Sequence, residues 1–369
     1  MIIKQQLETL TPYQPGKPIE EVKAMYGLEK IVKLASNENP FGSSPFVREA
    51  IQRSLNELTL YPDGYASQLR EKLALFLDVS PNQLIFGNGS DEIIQIICRA
   101  LLSKNTNTVM ATPTFPQYKH NAIIEGAEIR EIELSGGQHN LERMLSVIDE
   151  QTRIVWVCSP NNPTGTLTEK KELLSFIESV PSTTLVVLDE AYYEYVQSDD
   201  MLNSVSLLDR FNNVMFLRTF SKIYGLASLR IGYGIGNSDF INSIETVREP
   251  FNTSRFAQAA AIAAISDQQF VADCRVKNKE GLQQFVQFCE EHELNYYPSQ
   301  GNFILIDFKE KKLQGDEVFQ YLLERGFIVR SGNALGFPTC VRITIGHFED
   351  NQNIISLLGT MLKKKYQVL

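Results

Sequence analysis

Short apolar runs recur along the middle of the chain, each followed by a polar cluster and then by a stretch suited to a helix. The runs are 83–89 (QLIFGNG), 107–112 (NTVMAT), 153–158 (RIVWVC), 183–189 (TTLVVLD), 213–219 (NVMFLRT) and 232–236 (GYGIG). Between them, 90–102, 115–125 and 168–179 read as helices. Strands this continuously apolar need cover on both faces, and intervening helices provide it. The alternation therefore predicts an α/β fold with a mostly parallel sheet between helices. From about residue 255 the texture changes. A long helical region at 257–292 leads to a strand at 302–308, a helix at 315–325, strands at 327–332 and 340–346, and a helix at 350–364. That order fits a second, smaller α/β unit. The expected division is an N-terminal arm at 1–30, a large domain at 31–250 and a small C-terminal domain at 251–369.

Composition excludes several classes. The 369 residues carry a formal charge of −9 with both signs mixed along the chain. A nucleic-acid surface would show a basic stripe instead. Cys98, Cys158, Cys274, Cys289 and Cys340 form no CxxC pair, so reduced and mostly buried thiols are expected. His120, His139, His292 and His347 lack metal-ligand spacing, and no metal is expected. Residues 1–18 are polar and broken by Pro12, Pro15 and Pro18, unlike a signal peptide. No apolar run approaches the roughly 20 residues that span a bilayer. A soluble, cytoplasmic protein is expected.

In open α/β sheets, ligands bind beyond the carboxyl ends of the strands. Four signatures fall there: GNGSDE (87–92), SPNNPTG (159–165), DEAY (189–192) and TFSK (219–222). In the first, Gly87 and Gly89 allow a tight turn and Ser90 opens a helix whose free N–H groups suit an anion. An ordinary helix cap is the competing reading. A dinucleotide fingerprint fails, because the third glycine of GxGxxG would fall on Glu92 here and on Asn237 after GYGIG. Nor is there a phosphate-binding GxxxxGK[ST] loop.

Asp189 ends an apolar run. It can be a surface cap, or it can hold the protonated nitrogen of an electron-poor ring, with Tyr192 or Asn161 on the ring's phenolic oxygen. Lys222 directly follows another such run, beside Ser221 and eight residues before Arg230. A desolvated lysine near a cation loses proton affinity and becomes a usable nucleophile. Ser221 and Arg230 also suit a phosphate. Together the four signatures describe one ligand, a phosphorylated and electron-poor aromatic ring, as in pyridoxal 5′-phosphate.

SPNNPTG, DEAY and SKIYGLASLRIGY (221–233) resemble the motifs of the fold-type I, class II aminotransferases. SNENPFG (36–42), YPDG (61–64), GNGSDE and VRITIG (341–346) are similar to those of the histidinol-phosphate aminotransferase family. The resemblance runs from about Pro12 to the last helix. It implies the pyridoxal-phosphate-dependent transferase fold type I and a homodimer with shared active sites. The implied reaction converts L-histidinol phosphate and 2-oxoglutarate into imidazole acetol phosphate and glutamate, in histidine biosynthesis. Lys222 would be the Schiff-base lysine and catalytic acid/base, Asp189 the partner of the pyridine nitrogen, and Asn161 with Tyr192 the holders of the ring oxygen. Phe115 would stack on the ring. Gly89, Ser90, Ser221 and Arg230 would form the phosphate cup, with Asp91 beside it. Tyr61 would reach the phosphate of the other subunit.

For the substrate, the resemblance implies Arg342 at the anionic group, Arg330 and Tyr13 as further phosphate contacts, and Asn37 at the pocket. The chain departs from the family pattern at two positions. Ser159 stands where many relatives have Asn, at a position expected to do no chemistry. Phe251 stands where some members place a Tyr whose hydroxyl crosses to the neighbouring subunit's substrate phosphate. That loss removes a donor worth about 1 kcal/mol net and leaves a more apolar pocket. An aromatic amino acid (Phe or Tyr) as main or additional donor is therefore the alternative function. A phospho-amino-acid decarboxylase is a related one. A non-catalytic regulator on this fold would carry an added DNA-binding module, for which the motifs leave no room.

Overall fold

The computed structural model describes residues 3–12, 17–199 and 201–366. Helix α1 (Ile19–Tyr26), the two-residue strand β1 (Val32–Lys33) and helices α2 (Pro45–Ser54) and α3 (Ser67–Leu77) come first. A regular alternation follows: β2 (Leu84–Gly87), α4 (Ser90–Leu101), β3 (Asn107–Thr112), α5 (Gln117–Glu125), β4 (Glu128–Glu133) and α6 (Leu141–Ser146). It continues through β5 (Thr152–Cys158), α7 (Lys170–Ser179), β6 (Leu185–Asp189), β7 (Val214–Thr219), β8 (Gly232–Gly236) and α8 (Ser238–Ile244). Helices α9 (Arg255–Ser266) and α10 (Gln268–Glu291) lead to the remaining elements. These are β9 (Asn295–Tyr297), β10 (Phe303–Asp307), α11 (Gly315–Leu323), β11 (Phe327–Ile328), β12 (Arg330–Ser331), β13 (Cys340–Thr344) and α12 (Phe348–Tyr366).

The large sheet has the order β2-β8-β7-β6-β5-β3-β4. Every pairing is parallel except those of β8, which runs against both β2 and β7. Period-2 alternation divides its apolar residues between two cores. Ile154, Trp156 and Cys158 of β5 join Leu185 and Val187 of β6 and Met215 and Leu217 of β7 on one face. Val155, Val157, Val186, Leu188, Val214 and Phe216 fill the other. Burial on both faces is why these strands read as unbroken apolar runs. Strand β4 carries the sequence EIREIE, lies at the sheet edge, and shows no such run.

The smaller sheet is antiparallel, in the order β12-β13-β10-β9, and has its own core with Phe285, Phe288, Ile304, Ile306, Val341 and Ile343. The run expected as one strand at 327–332 is two: β11 pairs with β1, while β12 pairs with β13. Packing also departs from the expected divisions at 30 and 250. Leu34, just after β1, sits in the smaller core. Ala257, Ala260, Ala261 and Ala264 of α9 lie in the core of the large sheet, where their small side chains let the helix rest on α2 and α3. Helix α10 spans both cores, with Val271 and Cys274 in the larger and Phe285 and Phe288 in the smaller.

Candidate active site

The candidate groups collect where the strand order reverses. Strand β3 is followed outward by β4, whereas β5, β6 and β7 lie on its other side. Connections on the two sides of such a point diverge and leave a crevice at the carboxyl ends of the strands. A cavity of about 990 Å³ opens there. Ser90 and Asp91 border it from α4, Phe115 from the end of β3, Asp189 and Tyr192 from the end of β6, and Ser221, Lys222 and Arg230 from the segment between β7 and β8. Arg330 and Arg342 border it from the smaller sheet.

One end of the cavity is built for an anion. Ser90 is the first residue of α4 and follows Gly89, whose φ of +75° suits glycine. A Cβ on Gly89 would stand 2.5 Å from Nη2 of Arg230, so glycine leaves the guanidinium its place. Arg230 donates to Ser221 Oγ at 3.2 Å and to Asp91 Oδ2 at 3.2 Å. Helix N–H groups, two hydroxyls and a guanidinium therefore converge.

The middle of the cavity holds the acid and the amine. Asp189 is 2% exposed; its Oδ2 accepts from the Tyr118 hydroxyl at 2.6 Å and its Oδ1 from the Ala191 N–H at 3.1 Å. Burial pushes its carboxyl up to about 6, while those two donors pull the other way. Lys222 donates from Nζ to Ser36 O at 3.4 Å, with the Tyr192 ring centroid 5.8 Å away. Burial, then the Arg342 guanidinium, lowers its ammonium pKa to about 8, with Arg230 adding to the effect and Asp91 opposing it. The Tyr192 hydroxyl accepts from Asn37 Nδ2 at 2.9 Å, and burial holds it well above the ordinary phenol range.

At the far end Arg342, 6% exposed, donates to Asn162 Oδ1 at 2.6 Å and to Ala35 O at 2.8 Å. Asn37 adopts a φ of +56° and is spent structurally: its Oδ1 accepts from Thr344 Oγ1 at 3.0 Å while its amide holds Tyr192. It borders the cavity and ties the smaller sheet to the larger one.

One expected residue, Asn161, is placed differently. Asn161 has no exposed surface: its Oδ1 accepts from Thr114 Oγ1 at 2.7 Å and its Nδ2 donates to Thr164 Oγ1 at 3.0 Å. The neighbouring Asn162 borders the cavity in its stead. Tyr61 is 78% exposed and stacks on Phe251, with centroids 4.8 Å apart, so neither borders the cavity of its own chain. Tyr13 lies outside the described residues. Sequence reasoning missed Tyr118 and Asn162. Tyr118 lies three residues beyond Phe115 and Asn162 lies inside SPNNPTG, but only the backbone path decides which residue of each segment turns inward.

A sequence model of the family described as aminotransferase class I and II matches residues 29–358. A histidinol-phosphate aminotransferase of Geobacillus sp. (strain WCH70) is 65% identical over 365 residues, covering 99% of each chain. That of Bacillus subtilis (strain 168) is 62% identical over 363 residues, covering 98% of this chain and all of the relative. Among solved structures, histidinol-phosphate aminotransferase from Sinorhizobium meliloti in complex with pyridoxal-5′-phosphate superposes with a TM-score of 0.87 at 26% identity, covering 98% of both chains. The chain belongs to the class I and II aminotransferase family.

Proposed function

We propose that this chain catalyses the pyridoxal-phosphate-dependent transfer of an amino group from L-histidinol phosphate to 2-oxoglutarate, in histidine biosynthesis. The observation that carries the reading is the convergence of Lys222, Asp189 and Arg230 from the large sheet, and of Arg330 and Arg342 from the small one, on a single cavity. The relatives named above support the same activity, and they give no support to an aromatic amino acid as donor.

The residues suit the cofactor. The glycine-lined helix start with Ser90, Ser221 and Arg230 fits a phosphate, and a buried carboxylate at Asp189 fits a ring nitrogen that must stay protonated. When bound, the cofactor supplies an electron sink for the pair left behind when the carbon bearing the amino group loses its proton. Lys222 holds and returns that proton at Nζ, and its lowered pKa leaves a useful fraction neutral near pH 8. With the cofactor bound, Asp189 would keep the ring nitrogen protonated and Phe115 would cover the ring. Tyr192, with Asn162 rather than Asn161, would serve the ring oxygen. Arg342, anchored by Asn162, orients the substrate's anionic group, with Arg330 beside it.

A homodimer with shared sites belongs to the same proposal, as does a cytoplasmic location. Leu58, Leu60, Tyr61 and Tyr65 are each more than 60% exposed, and a second copy would cover them. Among the described residues no helix is long and apolar enough to cross a membrane. The two cores support a large and a small domain that divide within α10. A donor panel with 2-oxoglutarate tests the function: kcat/KM for histidinol phosphate should far exceed that for phenylalanine or tyrosine. The reverse order would sink the assignment.

A further inference from the structure

Asp189 is gripped by an aromatic residue to which none of the roles above gives a part. Because β6 alternates, Leu185, Val187 and Asp189 share a face with Trp156 and Cys158 of β5. Tyr118, from the first turn of α5, lies fully buried on that face. Its ring stacks on Trp156 with centroids 4.6 Å apart and planes within 11°. Trp156 is pinned in turn: its Nε1–H donates to Thr108 Oγ1 at 2.9 Å, and that hydroxyl donates to Ile154 O at 2.9 Å. Phe115 meets Tyr118 edge to face, 5.6 Å between centroids. From this fixed ring the hydroxyl donates to Asp189 Oδ2 at 2.6 Å.

The surroundings give that one bond its weight. Asp91 and Glu190 place negative charge near Asp189 and work against its ionisation, as does burial. The Cys158 thiol and the Tyr192 hydroxyl, also close by, are kept neutral by burial. Tyr118, followed by the Ala191 N–H, pulls towards the carboxylate. A donor to a charged acceptor is among the stronger hydrogen bonds, and in a dry pocket it favours the ionised form.

We propose that Tyr118 is a positioning residue for Asp189: its hydroxyl keeps the carboxyl ionised and fixes its direction, and its ring ties that direction to the packing of Phe115. The proposal rests on the reading of Asp189 as partner of the ring nitrogen. Tyr118 touches no reacting atom and acts through Asp189. Without the hydroxyl, Asp189 holds a proton more tightly and competes with the ring nitrogen for it. The ring then carries less positive charge, and the Lys222 nitrogen keeps its own proton to higher pH.

The test is Tyr118→Phe, which retains the stack on Trp156 and removes only the hydroxyl, studied as the cofactor-loaded protein beside Asp189→Asn. The readouts are the pH titration of the visible absorbance band, the dissociation constant of the cofactor, and steady-state kinetics. For Tyr118→Phe the titration midpoint should rise by roughly half a unit or more. The cofactor's dissociation constant should rise about tenfold, and kcat should fall about tenfold with both KM values within about twofold. Difluorotyrosine in place of Tyr118, a stronger donor, should move the midpoint the other way; it retains the bond and serves as the readout if Tyr118→Phe folds poorly. If Asp189→Asn shifts the titration and weakens the cofactor while both changes at position 118 leave the wild-type values, the reading of Asp189 stands and the proposal is overturned. If Asp189→Asn also leaves them unchanged, the reading of Asp189 itself falls.

Discussion

Arg330 and Arg342 are register partners on the antiparallel strands β12 and β13, and both border the cavity that holds Lys222. Directly opposed residues project from the same face, where like charges repel. The arrangement is suited to a multiply charged anion such as a phosphate ester. Arg330→Gln should therefore raise KM for histidinol phosphate by about tenfold or more, with a smaller effect on 2-oxoglutarate. Steady-state kinetics with each substrate varied in turn check this.

The adjacent asparagines of SPNNPTG should respond differently to truncation. Asn162 holds Arg342 at 2.6 Å, so Asn162→Ala should raise KM for both substrates with little change in melting temperature. Asn161 is spent inside the fold on Thr114 and Thr164. Asn161→Ala removes both of these bonds and should cost about 1–3 kcal/mol of stability. Thermal denaturation beside kinetics separates the two.

Lys222 gives a pH prediction. Its amine is neutral above about pH 8 in the cofactor-free protein, so capture of the cofactor should accelerate as pH rises through that value. Arg342 contributes to the lowered value, and a neighbouring cation disfavours the ammonium form. In Arg342→Gln the midpoint should move up, towards that of an ordinary lysine. Stopped-flow absorbance across the pH range measures both midpoints.

Shared sites predict complementation. Tyr61 borders no part of its own chain's cavity, whereas Lys222 does. If Tyr61 serves the partner, Lys222→Ala and Tyr61→Ala subunits unfolded and refolded together should form mixed dimers. With random pairing, about a quarter of the sites would be intact. Each variant refolded alone should stay near its own low activity.

Much of this was legible in the sequence for a physical reason. Strands β3, β5, β6 and β7 are buried on both faces, so burial itself wrote their apolar runs, and their polar ends stood out against them. Lys222, Asp189 and Arg230 could be placed for that reason. Strand β4 was not seen, because an edge strand with EIREIE carries no apolar signal. Which asparagine faces the cavity was lost for a different reason: Asn161 and Asn162 are chemically identical, and the backbone path of the turn at 159–165 decides between them. Nothing in the sequence marks out Tyr118. Its role follows from the parity of β6, which aims Asp189 at it, and parity across strands distant in sequence is set by the tertiary fold. The same limit hid the place of α9, whose alanines fit a helix in either unit.

In the proposed function, amino transfer is carried by Lys222. Borohydride reduction of the cofactor-loaded protein, followed by proteolysis and mass spectrometry of the peptides, tests it most directly. A phosphopyridoxyl group is expected on Lys222, absent from unreduced protein and from Lys222→Ala. A label on another lysine at comparable yield, or full retention of the reducible band in Lys222→Ala, would contradict it.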